Sequence, residues 1–340
     1  MENRVKMKIA IDQVRGGSGV DVWAQNLCEG LLKVGVSCNL NLIPGIYQFC
    51  PGLIPLRKTT YNNVDVIHSN TWNGYGFKNK TSLVVTEHLV VHDPVFNPYK
   101  TLGQKLFHQQ VFKFEKKSLA VADAVTCVSR FAQKQLESVF DYHDSVMIYN
   151  GIDISLFKPA IVSCEHWNIA DDKKILFFSG TPSVRKGADL LPKIMDLLGD
   201  EYILLIASGT KKGFNWGRDN IQNLGSLTLA ELIDIYNLCD IFLFPSRLEG
   251  FGLSVAEAMA CEKPVVATNG SSLPELVVDG RGGFLCEMDN VKGFADKIKY
   301  LASDPQLINQ MGHFNRNRVV DKFNLEIMTD TYLNLYRKII

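Results

Sequence analysis

Short apolar runs of strand length alternate with segments of helical periodicity along this chain, and the alternation happens twice. Strands and helices in such alternation oblige parallel sheets, right-handed crossovers and helices on both sheet faces. The first series of runs is Lys8–Asp12, Val36–Ile43, Val64–His68, Leu83–Thr86, Val125–Val128 and Val146–Tyr149; the second is Ile175–Ser179, Tyr202–Ala207, Ile241–Phe244 and Pro264–Ala267. Helices are expected at Val20–Val34, Ala188–Leu198, Leu229–Leu238 and Ser254–Ala260. In the first of these, Val20, Trp23, Ala24, Leu27, Leu31 and Val34 keep the i, i+3, i+4, i+7 spacing, and Gly35 stops the pattern. Two series in 340 residues predict two doubly wound α/β domains.

The boundary is expected near Ile152–Ile161, where Phe157-Lys158-Pro159 makes a stiff exit and Val162–Asp172 reads as a connector. This gives domains 1–158 and 159–323. A last stripe, Ile327, Met328, Tyr332, Leu335 and Tyr336, fits a helix over about 324–340 that docks on either domain, a return onto the first included. A hydrophobic content of 46% against 21% charged residues excludes a disordered or collagenous chain. Lys+Arg and Asp+Glu are both 36, so no global basic field for nucleic acid exists. The balance is uneven, with 16 basic and 12 acidic residues in 1–150. The 8 cysteines form no C-x-x-C pair and read as reduced thiols of a cytoplasmic protein. No secretory leader and no membrane span are expected.

Ligands of open α/β sheets bind at the carboxyl ends of the strands. Three features fall there. Gly16-Gly17-Ser18-Gly19 follows the first strand and opens a helix, but Val22 stands where a dinucleotide fingerprint needs Gly or Ala, and the second strand ends without a ribose-binding acid. A phosphate-approaching turn and a plain tight turn are equally open there. Gly180-Thr181-Pro182-Ser183-Val184-Arg185-Lys186-Gly187 puts two adjacent cations at a strand–helix turn, suited to a diphosphate or merely to solvent. Glu249-Gly250-Phe251-Gly252-Leu253-Ser254-Val255-Ala256-Glu257 places one carboxylate in a loop and one in the first helical turn, beside an amide cradle for anions. The competing reading of Ser254-x-x-Glu257 is a capping box.

With these motifs in order, the sequence resembles the retaining glycosyltransferases of family 4 over nearly its whole length. The resemblance is carried further by Val85-Thr86-Glu87-His88, Ala122-Asp123-Ala124-Val125, Tyr149-Asn150-Gly151-Ile152-Asp153, Lys263-Pro264-Val265-Val266-Ala267-Thr268 and Pro274-Glu275. It implies the GT-B fold, two Rossmann-like domains facing each other across a cleft, the first for the acceptor and the second for a nucleotide sugar. It assigns Lys186 to the diphosphate, Glu257 to the ribose hydroxyls, and Glu249 and His88 to the reacting centre. Gly17, Gly19, Gly180, Arg185, Phe251, Gly252, Leu253 and Ser254 are assigned to the nucleotide sugar. Relatives commonly carry Arg where this chain has Thr181, and Arg185 is the candidate substitute.

The implied reaction moves a hexose-type sugar from a UDP- or GDP-sugar to a hydroxyl of a glycan, glycolipid or small-molecule acceptor, with retention. The product would belong to cell-surface polysaccharide, glycolipid or related glycoconjugate synthesis. No cofactor or metal is expected, since fixed cations can meet the departing diphosphate and no D-x-D occurs. The alternative is a non-catalytic nucleotide-sugar-binding protein of the same fold; a nicotinamide-dependent dehydrogenase is disfavoured by the failed fingerprint. His92 is the fallback for His88, and Asn150-Gly151 reads as a turn pair. Lys100–Lys117, with Leu102, Leu106, Phe107, Val111, Phe112 and Phe114, reads first as a crossover helix whose apolar residues are all core. Its second reading is peripheral contact with an anionic membrane, on the inner face of the cell membrane.

Overall fold

The computed structural model describes residues 7–16, 19–56, 64–163, 167, 169, 172–209 and 216–340. Gly17, Ser18 and Cys164 lie outside the described residues, as does part of the expected connector. The chain divides into one unit running to Gly151 and resuming at Asn324–Ile340, and a second spanning Ile152–Phe323.

The first unit contains β1 (Lys8–Val14), α1 (Gly19–Lys33), β2 (Ser37–Ile43), β3 (Val66–Asn70), β4 (Ser82–Glu87), α2 (Leu102–Val121), β5 (Ala124–Cys127), α3 (Arg130–Phe140) and β6 (Ser145–Met147). Its strands pair in parallel in the order β2-β1-β3-β4-β5-β6. In the second unit come β7 (Lys174–Ser179), α4 (Leu191–Leu198), β8 (Tyr202–Ala207), β9 (Ile221–Gly225), α5 (Leu229–Leu238), β10 (Ile241–Phe244), α6 (Leu253–Ala260), β11 (Val265–Thr268), α7 (Leu273–Leu276), β12 (Gly283–Cys286), α8 (Val291–Ala302) and α9 (Pro305–Lys322). Its order is β12-β11-β10-β7-β8-β9, again parallel. Counted from its own first strand this is 6-5-4-1-2-3, the Rossmann order, whose switch point lies between β7 and β10. The loops following those two strands carry Lys186 and Glu249.

The expected strands stand within two residues of the observed ones, and β9 and β12 had no counterpart. Both are edge strands of the second sheet. Four of the five β9 residues are only part-buried, and β12 opens on Gly283, which cuts its apolar run to Phe284–Cys286. The expected helix start at Ala188 moves to Leu191, because 184–190 is spent on turns.

The change of unit falls at Gly151/Ile152 instead of Lys158/Pro159. The stiff segment is built onto the second unit: Phe157 is buried edge-on against Tyr236, its carbonyl accepts from Arg316 Nη1 at 2.7 Å, and Ala160 N donates to Asn237 Oδ1 at 2.8 Å. Gly151 is needed for close approach and not for a turn, since a Cβ there would lie 2.5 Å from Leu325 Cα. The last helix, α10 (Leu325–Ile339), belongs to the first unit. Its Leu325, Met328, Tyr332 and Tyr336 share one core with Ile9, Ile11, Trp23 and Leu27. Tyr336 Oη also meets buried His68 Nδ1 at 2.5 Å. The apolar residues of α2 are not all core: Val111, Phe114 and Leu119 are buried, but Leu102 and Leu106 face solvent.

Candidate active site

At the switch point of the second unit, Lys186 Nζ lies 2.8 Å from Glu249 Oε1, and Arg185 Nη1 lies 3.2 Å from the same oxygen. Ser246 Oγ approaches that oxygen to 2.5 Å. Gly180 has φ +143°, which L side chains rarely adopt, and the lysine stem runs beside it, at an ordinary 3.6 Å from where a Cβ would be. The ammonium also sits 4.8 Å from the centre of the Phe244 ring. Burial pulls Lys186 below the usual lysine range, and Glu249 only partly restores it. Burial pushes Glu249 up, but Lys186 and Arg185 outweigh it and hold the carboxyl below its ordinary value. The carboxylate is therefore ionised at neutral pH.

Glu249 is fixed along its backbone as well. Its amide donates to Ser271 Oγ at 3.1 Å, and its carbonyl accepts from Ser272 Oγ at 3.1 Å. Helix α6 starts at Leu253 with Gly252 as its N-cap, at φ +107° and with no side-chain cap. The capping box of the competing reading does not form. Glu257 stands in the second turn, and its Oε2 accepts from Tyr236 Oη at 2.7 Å. Burial raises the Glu257 carboxyl, against the pull of Tyr236 and Lys186. Phe251 is buried against Phe323, so it offers a ligand its backbone only; Leu253 and Ser254 are half-buried. Thr181 is exposed. The structure thus gathers Gly180, Arg185, Lys186, Glu249, Gly252 and Glu257 in one neighbourhood of the second unit.

Gly19 and His88 belong to the first unit. Gly19 is the first residue of α1, and Asp21, in the first turn, accepts from Gly16 N at 3.2 Å. His88 follows β4 with its ring edge-on to Trp23 at 4.6 Å, and its Nε2 has no hydrogen-bond partner among the described residues. Burial lowers its pKa to about 3, so the imidazole is neutral. His92 is occupied elsewhere, its Nε2 2.7 Å from Glu115 Oε2.

Residues 20–156 match the family described as Glycosyltransferase Family 4, and residues 164–318 match Glycosyl transferases group 1. The chain belongs to glycosyltransferase family 4. Across this family, similarity extends to an uncharacterized glycosyltransferase of Methanocaldococcus jannaschii, 31% identical over 220 residues, which are 63% of this chain and 59% of that protein. The chain thus spans about three-fifths of that relative's length. Among solved structures, sucrose-phosphate synthase from Thermosynechococcus elongatus superposes with a TM-score of 0.85 at 21% identity, covering 98% of both chains. The Anabaena protein HepE in complex with UDP and glucose gives 0.78 at 18% identity, covering 97% of this chain and 99% of that one. The two parallel six-stranded sheets are those of the GT-B glycosyltransferase fold.

Two residues that no sequence motif marks brace this site. Tyr236 supports Glu257 from below. Arg247, with its side chain 3% exposed, donates Nε to Asp289 Oδ1 at 2.7 Å and both terminal nitrogens to Asp189 at 2.7 and 2.8 Å. A further bond runs from Nη1 to the Val184 carbonyl. Its backbone amide meets the Arg185 carbonyl at 2.8 Å. The loop bearing both cations is thereby tied to the segment bearing Glu249. An arginine so soon after an apolar strand was the available signal, because a buried guanidinium demands carboxylates.

Beside His88, Glu87 is fully buried; its Oε2 accepts from Thr71 Oγ1 at 2.7 Å and its Oε1 from Leu89 N at 2.9 Å. Burial, helped by Glu115, pushes its pKa to about 8, against Thr71, Leu89 and His92. Between the ordinary value of 4.5 and about 8, the folded state holds a proton that the unfolded state has released. Stability from this group is complete below 4.5 and declines as pH rises toward about 8, by on the order of a few kcal/mol. Glu87→Gln, which cannot ionise, is expected to flatten that decline. Urea denaturation at several pH values checks it; wild-type and variant curves running parallel would refute the assignment.

Proposed function

We propose that this family 4 member is a retaining, metal-independent glycosyltransferase that moves a hexose-type sugar from a UDP- or GDP-sugar to an acceptor hydroxyl, in the synthesis of a polysaccharide, glycolipid or related glycoconjugate. The observation that carries the reading is the convergence of Lys186 and Arg185 on Glu249, beside the uncapped start of α6. A departing nucleoside diphosphate gathers negative charge on its phosphate oxygens. Fixed cations and helix-start amides held there in advance stabilise that charge without reorganising. Lys186 takes the diphosphate, with Arg185 as the second cation in place of the side chain that Thr181 lacks. Glu257, fixed by Tyr236, takes the ribose hydroxyls. Glu249 orients the transferred sugar, and neutral His88 is able to accept a hydrogen bond at the acceptor side. The described cysteines form no disulfide, which suits a reducing compartment such as the cytoplasm.

The test is thermal denaturation against UDP, GDP, ADP and their sugars, with chelator present, followed by assay of diphosphate release. One base is expected to raise the melting temperature, a ligand at a hundredfold its Kd adding about 2.7 kcal/mol. Release with a matching acceptor completes the reading. A shift without turnover on any acceptor would favour the non-catalytic binding protein, and no shift with any nucleotide would overturn both.

A further inference from the structure

One indole joins two histidines in the first unit. Strand β4 runs beside β3 in the register His68↔Val84 and Asn70↔Thr86, and alternation brings Val84 and Thr86 to one face. Helix α1 lays Trp23 on that face, in one core with Val84. The Trp23 ring meets His68 at 5.0 Å and His88 at 4.6 Å, edge-on to both. Tyr332 of α10 closes in at 6.1 Å, also edge-on. A chain of hydrogen bonds fixes His68 in turn. Its Nδ1 meets Tyr336 Oη at 2.5 Å and its Nε2 meets Thr86 Oγ1 at 2.7 Å, while Thr86 Oγ1 lies 2.7 Å from Thr126 Oγ1. All four side chains are buried. The His68 ring cannot turn without breaking both of its bonds, so the indole that rests on it has a fixed seat.

His88 has no such anchor at Nε2, which finds no hydrogen-bond partner among the described residues. The torsion that turns an imidazole ring is soft, so packing must set its plane, and edge-on contact between rings has a preferred geometry. We propose that Trp23 is a positioning residue for His88: the indole, seated on His68 and backed by Tyr332, sets the plane of the His88 ring and shields it from water. The proposal rests on the assignment of His88 to the reacting centre, and it gives the returning helix α10 a part in transfer beyond packing. The titratable groups around the two histidines add no charge at neutral pH. Burial holds His68 well below the usual imidazole range, pushes Tyr332 up to about 12 and carries Tyr336 well above its ordinary value. Glu87, next to His88 in the chain, keeps its proton up to about pH 8. Burial is also what lowers His88, so opening the indole side to water should return it toward the ordinary 6.5.

Carbon-13 NMR of the whole chain with ring-labelled histidine tests it, the His88 resonance being found by its loss in His88→Gln. In wild type this resonance should not titrate between about pH 5 and 8. Trp23→Leu keeps an apolar side chain but no ring. Its His88 titration should move into that window, and kcat should fall about tenfold to a hundredfold with nucleoside diphosphate affinity unchanged. Trp23→Phe should restore most of both. Tyr336→Phe deletes one hydroxyl, should fold, and by freeing His68 should move His88 in the same direction by less. A residue that only stabilises the fold would lower the melting temperature and leave the titration as in wild type where the variants are folded. That outcome in every folded variant would overturn the proposal, as would a wild-type His88 that already titrates near 6.5. Undiminished kcat in His88→Gln would instead overturn the reading on which the proposal rests, an outcome that the titration by itself cannot produce.

Discussion

Lys186→Ala is expected to lower kcat/KM for the donor roughly a hundredfold to a thousandfold, the range found when one preorganised donor to a developing oxyanion is removed. The reasoning is electrostatic. The ammonium is nearly buried, is held against Glu249 at 2.8 Å, and reaches its place without further ordering. Alanine removes the compact charge and leaves Glu249 with Arg185 and Ser246 only. The Glu249 carboxyl should then rise toward its ordinary value, because its strongest opponent of burial is gone. Activity of the variant should accordingly fall away on the acid side at a higher pH than in wild type. Since Arg185 still faces the carboxylate, the chain should fold. Unaltered kcat/KM in the soluble variant would show that the diphosphate is held elsewhere.

Much of this architecture is legible without coordinates, and the losses have physical causes. Strands buried on both faces announce themselves as apolar runs, so β7, β8, β10 and β11 stand near their expected positions. The edge strand β9 is half-solvated, and β12 opens on a glycine that cuts its apolar run to three residues. The stripe of α10 was visible, but nothing in its spacing says which core receives it; the buried contact of Tyr336 with His68 does. Within the site, local motifs placed Lys186, Glu249 and Glu257, because strand–loop–helix turns are short in sequence. Arg247 was hidden because its carboxylates, Asp189 and Asp289, lie far apart along the chain and meet only in the fold. The competing capping-box reading of Glu257 fails for a related reason: the partner that takes its carboxylate, Tyr236, comes from another helix.

That hidden arginine leads to the second large effect. Arg247→Ala is expected to weaken donor binding and lower kcat/KM by about tenfold to a hundredfold, although Arg247 is assigned no contact with the substrate. Its guanidinium bridges Asp189, Asp289 and the Val184 carbonyl at once, and this fixes where Arg185 and Lys186 begin. The two aspartates are 41% and 37% exposed, so water can solvate them after the change, and the loss of stability should stay near 1–3 kcal/mol. Arg247→Lys should recover little, since a single ammonium cannot reproduce a planar fork that grips Asp189 with two nitrogens while reaching two further acceptors. Asp289→Asn, which weakens one arm only, should fall between wild type and alanine. The informative measurement is nucleotide affinity by calorimetry set beside the melting temperature. A purely structural residue would lower melting and leave affinity untouched at a temperature where all variants are folded. A positioning residue loses affinity there, with Lys186 and Arg185 intact but no longer held in register with Glu249.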